Sequence, residues 1–225
     1  MFSQRSFSNL LLRWINKYVV AGIFIMIFSC KESDDLPPVL TLIGNDTILH
    51  VLNSSYDDPG AKATDETDGE ITNKIFTENT VNVQHIGEYT VTYRVIDQAG
   101  NEAVPLIRRV FVYNSGWQAE GQYTVAENQI FPEVNFCSYS LTVLVDSFAN
   151  NRIIYSNFGC NQDQQVYADI DNTILILPFQ EITDSTGSMS FQGSGSITDT
   201  TMFLHYTLER DSVTELWTAE IMRSK

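Results

Sequence analysis

Basic residues are scarce in this 225-residue chain: 13 Lys and Arg stand against 28 Asp and Glu, a net charge of −15. Such a surface repels nucleic-acid phosphates and anionic headgroups, so nucleic acid is excluded as a partner. Histidine is equally thin, with His50, His85 and His205 far apart and outside any ligand spacing. Catalytic signatures are missing too: there is no Gly-x-Ser-x-Gly elbow, no phosphate-cradling glycine loop and no His-Glu-x-x-His. A Ser-His-Asp set could be drawn through His205, but nothing selects a particular serine. No catalytic residue, metal ligand or cofactor is therefore assigned, and the expectation is a protein that is not an enzyme. After residue 30 no apolar pattern of period 3.6 is sustained, which argues against a helical architecture.

What is present begins with an N-terminal leader. Residues 1–29 carry Arg5, Arg13 and Lys17 and no acidic residue, followed by the apolar run Tyr18–Phe28. That run fits a secretory signal core and is short of the roughly 20 residues of a membrane-spanning helix. It ends in Ile27-Phe28-Ser29-Cys30, which resembles a lipobox, with Phe28 bulkier than the usual occupant of its place. The reading is a signal peptide over 1–29 with Cys30 as the lipidated first residue of the mature chain. The alternative is a short transmembrane anchor with an incidental cysteine. Against it, the charged stretch Lys31-Glu32-Ser33-Asp34-Asp35 runs into Leu36-Pro37-Pro38, as a solvated tether would over 30–37. Acidic residues directly after the cysteine also resemble the surface-export signal of some Gram-negative lipoproteins. The partner implied is the membrane, through N-terminal acyl chains, and the location implied is the outer membrane and its surface. Loss of the leader leaves 10 basic against 28 acidic residues, a net charge of −18.

The remaining 190 or so residues suggest two small domains, with the Asn114-Ser115-Gly116 break as the boundary. Strands are expected at Val39–Ile43, Thr47–Val51, Ala61–Thr64, Thr80–Val83, Tyr89–Ile96 and Ala103–Val112, from alternating β-branched and aromatic residues bounded by turn formers. Asp58-Pro59-Gly60, Asp68-Gly69 and Asp97-Gln-Ala-Gly100-Asn101 supply turns, Asp accepting backbone hydrogen bonds and Gly taking positive φ. The segments DPGAKATDETDGEIT, GEYTVTYRVIDQAGNEA and RRVFV, in that order, resemble the bacterial surface-protein Ig-like domain, also repeated in some pesticidal crystal proteins. The resemblance covers 38–113 and implies an Ig-like β-sandwich in a surface setting, with no catalytic residues to carry over.

In 117–225 strands are expected at Gly121–Val125, Cys137–Val145, Ile153–Phe158, Val166–Ile170, Thr173–Leu177, Ser188–Gly193, Thr201–Leu208 and Leu216–Met222. Eight hairpin-linked strands make a small antiparallel barrel or curved meander, so the fold class is all-β throughout. In strand order and spacing this half resembles the calycin-type domain that follows such Ig-like modules in some Gram-negative lipoproteins. Cys137 and Cys160 remain as an even pair in an oxidising compartment. If Val145 lies opposite Arg152, Cys137 falls opposite Cys160 and a disulfide can close; two free thiols are the alternative.

Candidate sites are few. Asp57, Asp58, Asp65, Glu66 and Asp68 could offer oxygens to calcium, but they also read as turn formers and solvated charges, so no metal is assigned. Trp117, Tyr123, Tyr155, Tyr167, Phe191, Phe203, Tyr206 and Trp217 could line a cavity, although most aromatics at strand spacing are core. Trp117, beside the boundary, and Trp217 are kept as candidate ligand-binding residues. His205 reads as structural. The leading expectation is a non-catalytic binding module for a glycan or other extracellular ligand; the alternative is an assembly partner of an outer-membrane protein complex.

Overall fold

The computed structural model describes residues 33–160, 164–184 and 187–225. Residues 1–29, expected to be a signal peptide, and Cys30 lie outside the described residues. Among the described residues no helix is long and apolar enough to cross a membrane.

Residues 39–113 form two sheets. One is antiparallel and joins β1 (Val39–Leu42), β3 (Ala61–Asp65) and β4 (Gly69–Glu70) in the order β1-β3-β4. The other joins β2 (Thr47–Val51), β5 (Phe76–Asn79), β6 (Gly87–Arg94) and β7 (Leu106–Tyr113) in the order β2-β7-β6-β5, with β2 parallel to β7. Alternation decides what faces inward. Ala61 and Ala63 of β3, Val91 and Tyr93 of β6, and Val110 and Val112 of β7 are buried together with Leu40, Leu52 and Ile71. The turn chemistry is as expected: Asp97 Oδ1 accepts the amides of Gly100 and Asn101, at 2.6 and 2.8 Å, and Gly100 has φ +99°. The expected strand Thr80–Val83 is displaced to Phe76–Asn79. The Asn79 side chain takes the Val81 amide at 2.8 Å, which ends the ladder that β5 makes with β6.

Residues 121–223 form a closed eight-stranded antiparallel barrel. Its strands are β8 (Gly121–Phe131), β9 (Asn135–Val145), β10 (Arg152–Phe158), β11 (Gln164–Asp171), β12 (Ile174–Asp184), β13 (Gly187–Ile197), β14 (Thr201–Arg210) and β15 (Val213–Arg223). Each pairs with its chain neighbour and β15 closes on β8, an up-and-down order. The closed order leaves none of the eight strands as an edge strand, although β9 and β10 pair only over Val143–Val145 and Ile153–Tyr155. The interior is filled by the barrel's own side chains. Phe158 stacks on Tyr155 at 5.3 Å and lies 5.0 Å from Tyr206, which is stacked 6.4 Å from Trp217. Gly193 and Gly195 face this packing: a side chain at Gly193 would run into the His205 carbonyl and Tyr206, and one at Gly195 into the Phe203 carbonyl.

Two expectations are corrected here. The β9–β10 register is one residue off the one expected: Val145 pairs with Ile153, Leu144 with Ile154 and Val143 with Tyr155. The loop explains the slip. Asp146 Oδ1 accepts the Phe148 and Ala149 amides, and the Asp146 amide reaches the Arg152 carbonyl at 3.0 Å, so Asp146 itself faces Arg152. Ile153 and Tyr155 therefore enter the core, and Ile154 and Ser156, on the other face, do not. The Cys137–Cys160 disulfide is nevertheless present, with Cα atoms 6.1 Å apart. The pairing of β10 shifts between Tyr155 and Phe158, and Gly159 at φ +90° carries Cys160 back towards Cys137.

The second concerns the segment between the two halves. Asn114 is buried, and its side chain donates to the carbonyls of Asp146, Ala149 and Arg152 while accepting the amides of Gly116 and Asn151. The loop Asp146–Asn151 also meets the sandwich directly. The Ile86 amide donates to the Ser147 carbonyl at 3.1 Å, Asn53 Nδ2 to the Phe148 carbonyl at 2.7 Å, and the His85 and Phe148 rings meet edge-on at 4.7 Å. A segment whose buried asparagine serves so many backbone groups is a joint, not an open linker. The described part of the tether is solvated at Ser33, Asp35, Leu36 and Pro37, while Asn101 Nδ2 donates to the carbonyls of Asp34 and Leu36 and Pro38 is buried.

Candidate functional site

The barrel wall carries a groove of about 430 Å³ lined by Gln192, Ser194, His205, Thr207, Ile130 and Leu216, with Gly193, Tyr206 and Trp217 beside them. Period-two alternation builds it. On β13 and β14, Phe191, Leu204, Tyr206 and Leu208 point inward, so Gln192, Ser194, His205 and Thr207 point outward. Strand pairing sets Gln192 opposite Thr207 and Ser194 opposite His205, which gathers an amide, two hydroxyls and an imidazole on one surface. Ile130 on β8 and Leu216 on β15 border it, 57% and 41% exposed. His205, read from sequence as structural, is an exposed member of this row.

Inside the barrel a second polar cluster is sealed from solvent. Glu127 has no exposed surface; Tyr139 and Tyr206 donate their hydroxyls to Oε1 at 2.8 and 3.1 Å. Burial pushes the Glu127 carboxyl up, against the hydrogen bonds from the two tyrosines and the Cys160 amide. Tyr139 also accepts the Gly159 amide at 3.0 Å, so this cluster braces the turn that leads to the disulfide. Nothing in the sequence separated Glu127 from the other acidic residues; its inward position in β8 between Val125 and the barrel floor is a tertiary fact.

The acidic group expected near Asp57–Asp68 is divided by the fold. Asp58 pairs with Arg108 at 2.6 Å and accepts the Tyr56 and Tyr93 hydroxyls and the Gly60 amide. Burial would raise its carboxyl, but those hydrogen bonds outweigh burial and hold it below the usual range. Asp68 pairs with Lys74 at 3.2 Å, while Asp57 and Glu66 are exposed. Asp65 goes elsewhere: carboxylate oxygens of Asp34, Asp65 and Asp97 all lie within 4.8 Å of one another.

Among the aromatics singled out from sequence, Tyr123, Tyr155, Phe191, Tyr206 and Trp217 are buried core residues. Tyr167 lies under the Arg152 guanidinium, 3.9 Å from its ring centre, and Phe203 is exposed. Trp117 opens a 3-10 turn, Trp117–Ala119, and is 56% exposed. Trp217 is 5% exposed; its indole Nε1 donates to Glu215 at 2.9 Å, and it borders the groove from the core side. Trp117 is not among the groove residues, so the two tryptophans do not form one platform.

The sandwich followed by an up-and-down barrel defines a two-part all-β protein whose polar surface groove lies on the barrel wall. Residues 40–112 match the family of bacterial surface protein Ig-like domains, and this part of the chain is such a domain. No curated protein matches the chain. Among solved structures, a lipoprotein from Bacteroides thetaiotaomicron is similar at 17% identity and a TM-score of 0.38, over 83% of this chain and 100% of that one. A provisionally assigned outer membrane protein from Bacteroides fragilis is similar at 14% identity and 0.35, over 74% and 84% of the two chains. The CBM51-2 and INT domains of Clostridium perfringens ZmpB, in complex with GlcNAc, are similar at 14% identity and 0.30, over 83% of this chain and 44% of that one. At these scores nothing about function follows from the likeness.

Proposed function

We propose that the protein is a non-catalytic lipoprotein, anchored at the outer membrane surface through Cys30, whose barrel binds a neutral glycan in the Gln192–His205 groove. The observation that carries this reading is the groove's chemistry. An amide, two hydroxyls and an imidazole can donate to and accept from sugar hydroxyls, while Ile130 and Leu216 offer apolar borders to ring faces. The acidic surface favours a neutral ligand over an anionic one. Glu127, enclosed by Tyr139, Tyr206 and the disulfide, is out of a substrate's reach, in keeping with a non-catalytic role. A glycan array probed with residues 31–225 tests the proposal. Binding to neutral glycans is expected, weakened at least tenfold by Gln192→Ala with His205→Ala. Those side chains face outward, so the fold is unaffected. Binding that survives both changes, or an array without a neutral hit, overturns it.

A second reading has its own support. At the β8–β9 hairpin Ile130, Phe131, Val134 and Phe136 are 57, 55, 91 and 62% exposed, an apolar tip suited to an envelope protein partner. Under that reading, Phe131→Ser with Phe136→Ser abolishes co-purification of a partner and leaves glycan binding intact.

A further inference from the structure

We propose that the Ig-like domain binds a divalent cation of the calcium class between Asp34, Asp65 and Asp97, and that the ion clamps the N-terminal tether to the domain. Three separate parts of the chain supply the carboxylates: the tether ahead of β1, the last residue of β3, and the turn after β6. Their oxygens lie within 4.8 Å of one another. Two oxygens bound to one calcium at 2.3–2.6 Å can stand up to about 5 Å apart, so all three fit one coordination shell.

The surroundings lack a protein counter-charge. Lys74 is engaged with Asp68 and Arg108 with Asp58, and no ion pair among the described residues reaches Asp34, Asp65 or Asp97. Asp65 and Asp97 are 9% and 7% exposed. Like charges this close and this dry are unfavourable unless a cation joins them.

Asp65 points directly to a ligand. Its Oδ1 accepts the Thr67 and Asp68 amides at 2.9 and 2.8 Å, whereas its Oδ2 is buried with no hydrogen-bond partner. A buried carboxylate oxygen without a partner is costly, and a metal bond removes the cost. Asn101 orders the rest: Nδ2 donates to Asp97 Oδ2 at 2.8 Å and to the Asp34 carbonyl at 3.0 Å, holding tether and turn together. Asp65 also borders a cleft of about 430 Å³ that it shares with Leu36, Pro37, Val39, Thr64 and Glu66.

The donor set selects the ion. All three side chains are hard oxygen donors, with no thiolate or imidazole, which favours a hard cation over zinc. Ligands drawn from a tether and two turns suit the adaptable six to eight oxygens of calcium better than the rigid octahedron of magnesium, with water completing the shell.

The test titrates calcium into the full-length protein in detergent, by calorimetry, alongside thermal unfolding in calcium and in EDTA. One bound calcium is expected, with affinity lowered at least tenfold by Asp65→Asn and, separately, by Asp34→Asn. Asp57→Asn, at an exposed residue outside the cluster, leaves it unchanged. Asp97→Asn is unsuitable, because the turn itself depends on that side chain. Calcium also slows protease cleavage within 33–38 by tenfold or more relative to EDTA. A merely structural Asp65 would lower the melting temperature equally in calcium and in EDTA. That outcome overturns the proposal, as does absent calcium binding or binding that survives both substitutions.

Discussion

Arg108 has no exposed surface, yet every donor on its guanidinium is used. Nη1 donates to Asp58 and the Tyr93 hydroxyl at 2.6 Å, Nη2 to the carbonyls of Ile43 and Gly60, and Nε to that of Asn45. The ion ties β7 to the loops around β2 and β3, and it is affordable only because nothing is left unpaired. Arg108→Ala should therefore destabilise the Ig-like domain by about 3–5 kcal/mol, since Asp58 is left buried without its partner. Urea unfolding measures this directly, and a loss under 1 kcal/mol would contradict the account. The pH dependence follows from the depressed Asp58 carboxyl. Its contribution is complete above the ordinary Asp value of 3.8 and is lost as pH falls through the lower folded value. Acid unfolding below about pH 4 should thus be blunted in Asp58→Asn, which has already lost the pair. Asp58, Tyr93 and Arg108 stand in the three segments that carry the Ig-like resemblance, but sequence read Asp58 only as a turn former or cation candidate. The network itself was not legible, because the three residues meet only across the sandwich.

At the level of elements, the barrel strands were readable because period-two alternation and turn residues mark them locally, from Tyr123-Thr-Val125 to Ala219-Glu-Ile221. The β9–β10 register was not readable. Apolar residues on both parities of Arg152–Phe158 allow two alignments, and the choice rests on how Asp146 folds its loop. The joint at Asn114 is the corresponding surprise among the connections, since Asn-Ser-Gly has the composition of an open linker. Asn114→Ala would remove the side-chain partner of the Asp146 and Ala149 carbonyls and of the Gly116 and Asn151 amides, while the Arg152 carbonyl keeps the Asp146 amide; a buried group left unsatisfied, such as the Gly116 amide, costs about 1–3 kcal/mol. Limited proteolysis read by mass spectrometry should spare 114–116 in the native protein and cut there, and within 146–151, in the variant. Early cutting at 114–116 of the native chain would mean that the joint is not held.

For the whole molecule, the proposed anchor and the acidic surface set the context in which both halves work. Cys30→Ala should leave the precursor uncleaved by the lipoprotein signal peptidase and without acyl label; a labelled, membrane-bound variant of mature size would refute the anchor. With the proposed leader removed the net charge would be −18, a surface that would suit neutral or cationic partners. Direct contacts at Ile86, Asn53 and His85 join the sandwich to the barrel, so the Ig-like domain holds the barrel at a defined attitude. The proposed cation at Asp34 would extend that order to the tether.

The sequence by itself determined the all-β class, the Ig-like domain and the eight barrel strands. These depend on local alternation and turn chemistry, each of which is a property of neighbouring residues. Tertiary structure alone decided which acidic residues pair with Arg108, which one is sealed beside the disulfide, and which three converge at the tether. It also decided that Trp217 is core and His205 is surface. Those outcomes depend on strand register and barrel closure, which bring together residues as distant as Glu127 and Tyr206, and no local pattern encodes that approach.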